Sequence, residues 1–164
     1  MRSVFGFPNP VNEVSARLTA AGVLIMSLLT LTLRLPWMLP LLACGFVARA
    51  ISGPRLSPLG LLVTRVVVPR LPLEPRMVAG PPKQFAQMLG AGVTLAATTL
   101  HFGFGRTRWA YRLTGLLALF AFLESALGLC VGCKIFGGLM KLGLIPETVC
   151  TDCADIWARY GKRL

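Results

Sequence analysis

The chain has 164 residues, of which 55% are hydrophobic and only 14% charged, with a mean hydropathy of +0.70. A soluble domain of this size needs far more polar surface, so the composition points to an integral membrane protein. The net charge of +11 would suggest nucleic acid in a soluble chain. Here the basic residues sit between apolar runs, where they set orientation and meet lipid headgroups, and no nucleic-acid partner is expected.

Residues 1–13 are polar and turn-rich, with Pro8, Asn9, Pro10 and Asn12, and lack the basic start and immediate apolar core of a cleavable signal. They read as a cytoplasmic lead-in. The apolar runs that follow approach the ~20 residues needed to cross a bilayer. They predict transmembrane helices at about 16–34, 36–50, 84–104 and 112–133. Arg17 and Arg34 bracket the first run and can snorkel to the two interfaces. A turn at Leu35, Pro36 and Trp37 leads into the second helix, whose Pro40 and short length predict a tilt or kink. Cys44 sits in a Leu-Leu-Ala-Cys-Gly stretch that resembles a lipoprotein cleavage box, but it lies too far along the chain. A small thiol packed between helices is the expectation there.

Residues 51–82 form the longest connection. Seven prolines, among them Pro54, Pro58 and Pro69, forbid a long helix. The apolar middle, 59–68, is expected to lie in the headgroup region. The third helix carries a cluster of small residues, Gly90, Ala91, Gly92, Ala96 and Ala97, suited to close helix contact in lipid and to dimerisation. His101 near its far end reads as an interfacial hydrogen bonder.

Lys and Arg number thirteen in the N-terminus, second loop and C-terminal part, against four in the first and third loops. By the positive-inside rule both termini face the cytoplasm. The expected fold is therefore all-α and multi-pass in the inner (plasma) membrane: two helical hairpins within 1–142, then a cytoplasmic tail, 143–164, with a short final helix.

The chemistry-bearing residues fall late in the chain. Glu124 lies ~17 Å along a helix counted from Leu113, near the bilayer midplane, where a charged carboxylate is costly. Thr94 and Ser27 are expected at the same depth as hydrogen-bond partners. A neutral Glu gluing helices and a proton-handling role are both open.

Cys130 and Cys133 close the apolar run, and Cys150 and Cys153 follow after sixteen residues. On an unbroken helix Cys130 and Cys133 would sit toward the negative end of the dipole. A break at Gly128 or Gly132 with a restart would put Cys133, beside Lys134, at a positive end that favours thiolate. Thr151 or Asp152 can cap a final helix, which makes Cys150 and Cys153 the more reactive-looking pair.

Two readings follow. In the first, the pairs exchange electrons or a sulfane sulfur at the cytoplasmic face, with Glu124 moving a proton. In the second, the C-x2-C-x16-C-x2-C spacing, which suits a four-thiolate zinc site, clamps the tail to the last helix in a non-enzymatic scaffold. A small-solute carrier using Glu124 is weaker, for there is no inverted repeat. With one His and six acids, hydrolase and nucleotide chemistry find no constellation.

Four blocks carry a family resemblance: residues 7–13 (Phe-Pro-Asn-Pro-Val-Asn-Glu) with Arg17; Ser57-Pro58 followed by Pro69-Arg70-Leu71; residues 82–87 (Pro-Lys-Gln-Phe-Ala-Gln); and residues 128–133 (Gly-Leu-Cys-Val-Gly-Cys). Over 7–142 the chain resembles bacterial integral membrane proteins catalogued as a domain of unknown function. The resemblance implies a multi-helix membrane protein keeping company with thioredoxin-like and sulfurtransferase proteins, the partners expected here beyond the lipid bilayer. Relatives commonly place an acid after the second cysteine of the first pair, where this chain has Lys134. Cys150 and Cys153 lie outside the matched part.

Overall fold

In the computed structural model, which describes residues 7–72 and 76–146, the chain is mostly helical. Cys150, Cys153 and the expected final helix lie outside the described residues. Four longer helices, α1 (Glu13–Thr32), α2 (Met38–Ser52), α4 (Gly80–Phe102) and α5 (Thr107–Leu127), form an up-down-up-down bundle. A short α3 (Pro58–Leu62) falls in the long connection, and α6 (Val131–Lys141) follows α5. α1 packs on α5, α5 on α4, and α4 on α2 and α6.

α1 starts where Asn12 caps it, its Oδ1 accepting from the Val14 N–H at 3.0 Å. The preceding strand β1 (Val11–Asn12) pairs antiparallel with β2 (Met77–Val78), and Asn9 Oδ1 accepts from the Gly80 N–H at 3.0 Å. The turn-rich lead-in thus ties the start of α1 to the start of α4. A Glu13–Arg76 ion pair at 3.1 Å adds to that tie.

α2 begins later than expected, so Pro40 falls in its first turn. The missing N–H there has no helical acceptor to lose, which removes the reason for a kink. The connection after α2 is also more ordered than a loop. It runs as a 3-10 turn (Gly53–Arg55), α3, a π-helical turn (Val63–Val67) and a second 3-10 turn (Val68–Arg70), each proline starting a short piece. Leu59 packs against the bundle core, close over Gly22 of α1. The 59–68 segment therefore makes bundle contacts that a purely interfacial strip would not.

The bundle has a small apolar core around Val23, Leu42, Phe46 and Leu117, joined inside by small polar groups, while many large apolar side chains face outward. α1 buries Ser15, Thr19, Ser27 and Thr30 while Ile25 and Leu28 face outward; α5 buries Ala110, Thr114 and Ala121 while Leu119 and Phe122 face outward. The inward hydroxyls bond back to carbonyls one turn earlier, as Thr19 does to Ser15 and Thr114 to Ala110. Small polar groups inside and large apolar ones outside suit an apolar solvent. α1 and α5 are each long and apolar enough to cross a membrane. Cys44 also points outward, not between helices, because it lies on the face of α2 opposite Leu42, Ala43 and Phe46.

Candidate functional site

The fourth predicted helix is two helices. α5 starts at Thr107, six residues before Leu113, and ends at Leu127 because Gly128 takes a left-handed conformation, φ 68°. Gly128 N–H reaches Glu124 O at 3.1 Å and Leu129 N–H reaches Leu123 O at 3.0 Å, closing the last turn. Arg17 of α1 completes the end: its guanidinium donates to Ser125 O at 3.2 Å and Ala126 O at 3.0 Å. A cation there also meets the negative end of the helix dipole.

The earlier start of α5 moves Glu124. It lies ~26 Å from the first residue of α5, in the last turn and not at mid-depth. Its partner is accordingly neither Thr94, which bonds Gly90 O, nor Ser27, whose Oγ has no partner. Glu124 Oε1 accepts instead from Lys83 Nζ at 2.6 Å, in a pair whose side chains are 17% and 9% exposed. Lys83 belongs to the first turn of α4, held inward by the β1–β2 tie and by Pro81 and Pro82. In the sequence Lys83 reads as an orienting charge and as part of the 82–87 block, not as a partner of Glu124. The signal that could have found it is its place at the mouth of an apolar run, one of whose neighbours had to answer Glu124.

Two more polar groups join this end. Arg49, in the last turn of α2 and 5% exposed, donates from Nε to Gln87 Oε1 at 2.9 Å and from an NH1 to Ser57 Oγ at 3.1 Å, with its guanidinium 4.4 Å from the Phe46 ring centroid. Gln87 lies one turn beyond Lys83 on α4. Among the described residues no carboxylate lies within ion-pair distance of Arg49.

Cys130 is the N-cap of α6, with extended backbone, and Cys133 is the third residue of that helix. α6 packs its Gly132, Phe136 and Met140 stripe against the start of α4; a Cβ on Gly132 would lie 2.5 Å from the Ala86 Cβ, and the Phe136 and Phe85 rings are 5.6 Å apart. That contact leaves Cys130 buried and Cys133 half-buried beyond the end of α5. The Cys133 thiol and N–H donate toward the Cys130 sulfur, and this, with the Lys83 ammonium nearby, holds the Cys130 thiol below its ordinary range against burial and Glu124. The same hydrogen bond, followed by burial, pushes Cys133 up. The restart places Cys130 at the N-cap and Cys133 in the first turn of α6.

Glu124, Arg49, Gln87 and Cys130 line one end of a cavity of about 210 Å³ enclosed by α1, α2, α4, α5 and α6. Apart from Thr19 the remainder of its wall is apolar, including Val23, Val93 and Ala121. His101 stands at the opposite end of α4, 6.4 Å from the Tyr111 ring and away from this cluster.

The chain matches the domain of unknown function DUF4395 over residues 11–141. It belongs to that family. The match takes in β1, every helix among the described residues and the Cys130/Cys133 pair of this DUF4395 protein, while Cys150 and Cys153 lie beyond it. No curated protein and no solved structure matches the chain.

Whether a metal suits the site turns on its donors. Cys130 and Cys133 supply half of a four-thiolate set, and the Lys83 ammonium lies within electrostatic reach of both. No group of three or more His, Cys, Asp or Glu is gathered for a metal among the described residues.

Proposed function

We propose that α1, α2, α4 and α5 all cross the membrane, with both termini cytoplasmic, and that Cys130 and Cys133 form a reversible dithiol at the cytoplasmic end of the bundle. The loop charges and the outward-facing large apolar residues support the topology. The thiol reading is carried by one observation: Cys130, the N-cap of α6, and Cys133, in its first turn, stand at the cavity end that holds the Lys83–Glu124 pair.

In this reading the Cys130 thiolate attacks one sulfur of a disulfide R–S–S–R′, forming a mixed disulfide and releasing R′–S⁻. Cys133 then loses its proton and attacks the Cys130 sulfur, releasing R–S⁻ and leaving the Cys130–Cys133 disulfide. The substrate gains two electrons and the protein loses them. The Cys133 proton leaves through Glu124, whose charge is otherwise balanced by Lys83. Cys150 and Cys153 fit the role of a second dithiol that restores the first, or that passes electrons or sulfur to a cytoplasmic thioredoxin-like or sulfurtransferase partner.

The test is a trap. A Cys133→Ser chain in membranes, offered a small disulfide, should accumulate a mixed disulfide at Cys130, detectable by intact mass and reversed by reductant. A chain that forms none, while wild type likewise never forms the Cys130–Cys133 disulfide, would overturn the reading. One zinc per purified chain, lost on any single substitution among Cys130, Cys133, Cys150 and Cys153, would replace it with the zinc-clamped scaffold.

A further inference from the structure

The cavity inside the bundle is larger than thiol exchange with a cytoplasmic partner requires, and its walls are the wrong chemistry for a peptide. It runs from Cys130, Glu124, Gln87 and Arg49 into apolar surface on all four long helices. Two of its lining residues, Leu89 on α4 and Ile135 on α6, are 40% and 44% exposed, so the cavity reaches the surface beside the α4–α6 contact. On the membrane reading above, that mouth faces lipid. A molecule entering there must be lipid-soluble, and its inner end must present an acceptor to Arg49 and Gln87 within reach of a thiolate.

We infer that the cavity binds the ring of a membrane quinone, which oxidises the Cys130/Cys133 dithiol. The inference rests on the dithiol reading and adds its electron acceptor. The volume suits a substituted six-membered ring, with an apolar tail leaving past Leu89 and Ile135. A quinone oxygen is an acceptor for the buried Arg49 guanidinium, which stabilises negative charge as the ring is reduced.

The steps balance. The Cys130 thiolate adds to a ring carbon, a C–S bond forms, and an electron pair moves onto a ring oxygen. Cys133, deprotonated, attacks the Cys130 sulfur; the S–S bond forms, the C–S bond breaks, and its electron pair stays on the ring. The two thiol protons end on the two ring oxygens, giving hydroquinone and the Cys130–Cys133 disulfide. Glu124 is placed to carry the second proton.

The experiment mixes reduced, full-length protein in lipid nanodiscs with a short-chain ubiquinone, following quinone absorbance and thiol mass-tagging together. One quinone should be reduced per Cys130–Cys133 disulfide formed. Ala121→Phe, which fills the cavity, should slow that reaction at least tenfold while leaving exchange with a small water-soluble disulfide intact. A photoreactive quinone on the unmodified chain gives an independent readout, and should label peptides of α4 around residues 86–93. Disulfide exchange without any quinone reduction overturns the inference and leaves the dithiol reading standing. Loss of both reactions overturns both. Quinone reduction that Ala121→Phe does not slow, with label scattered outside the cavity, removes the cavity from the mechanism and overturns the inference as well.

Discussion

The two ends of the bundle are built differently. At one end, two short turns join α1 to α2 and α4 to α5, and the core between them is Leu39, Ala97 and Ala110 with Leu100 and Leu113 packed around it. At the other, the helix ends converge on Lys83, Glu124, Arg49, Gln87 and Arg17, with Cys130 beside them. The first end closes on packing, with no ion pair there among the described residues. The second keeps charges out of water, a cost that packing does not require and that suits a reactive site.

If that contrast is right, substitutions at the charged end should matter most. Glu124→Ala leaves the Lys83 ammonium buried without its partner and should cost about 3–5 kcal/mol, measured by denaturant unfolding in detergent, with Glu124→Leu combined with Lys83→Met recovering most of the loss. A smaller effect is expected from Gly132→Val, which must push α6 away from the Ala86 backbone; about 1–3 kcal/mol is lost, and Cys130 alkylates faster as it is uncovered.

The pH profile sharpens the comparison chemically. In the wild type the Cys133 hydrogen bonds hold Cys130 low, so its thiolate, and hence its alkylation, persists to lower pH than an ordinary thiol. Cys133→Ala should move that profile upward, slowing Cys130 alkylation near neutrality. The two rates should converge only well above the ordinary thiol value of about 8.5, because burial and Glu124 still raise the Cys130 thiol of the variant. An unchanged profile would mean that Cys133 does not tune Cys130. Away from the charged end, Cys44→Ala, on the outer face of α2, should change stability by no more than about 0.5 kcal/mol and leave Cys130 alkylation unaltered. Ser27→Ala removes a buried hydroxyl with no partner and should be neutral or slightly stabilising in the same unfolding assay.

Much of this architecture is legible in the residues. The apolar runs locate the first three long helices to within about four residues, and Pro36 with Trp37 marks the turn between the first two. What misleads is register. Counting α5 from Leu113 ignores that Thr107, Arg108, Trp109 and Arg112 are helical although polar, since a helix can extend past the apolar core it crosses. That single shift moves Glu124 from mid-depth to the helix end and exchanges Thr94 and Ser27 for Lys83. The break at Gly128 is readable as an option in sequence, because glycine alone takes φ 68° without strain, yet only the packing of Gly132 on Ala86 decides that α6 turns onto α4. Arg49 carries no motif, and Gln87 stands out only as part of the 82–87 block. Their meeting follows from α2 and α4 lying side by side, which no local pattern records.

The most direct test of the account is a redox titration of the full chain in membranes, equilibrated across dithiothreitol ratios and read by mass-tagging each cysteine. The account predicts that Cys130 and Cys133 oxidise together as one two-electron couple and re-reduce fully, with Cys44 remaining a free thiol throughout. Cys130 and Cys133 staying reduced at every ratio, or oxidising independently of one another, would contradict it.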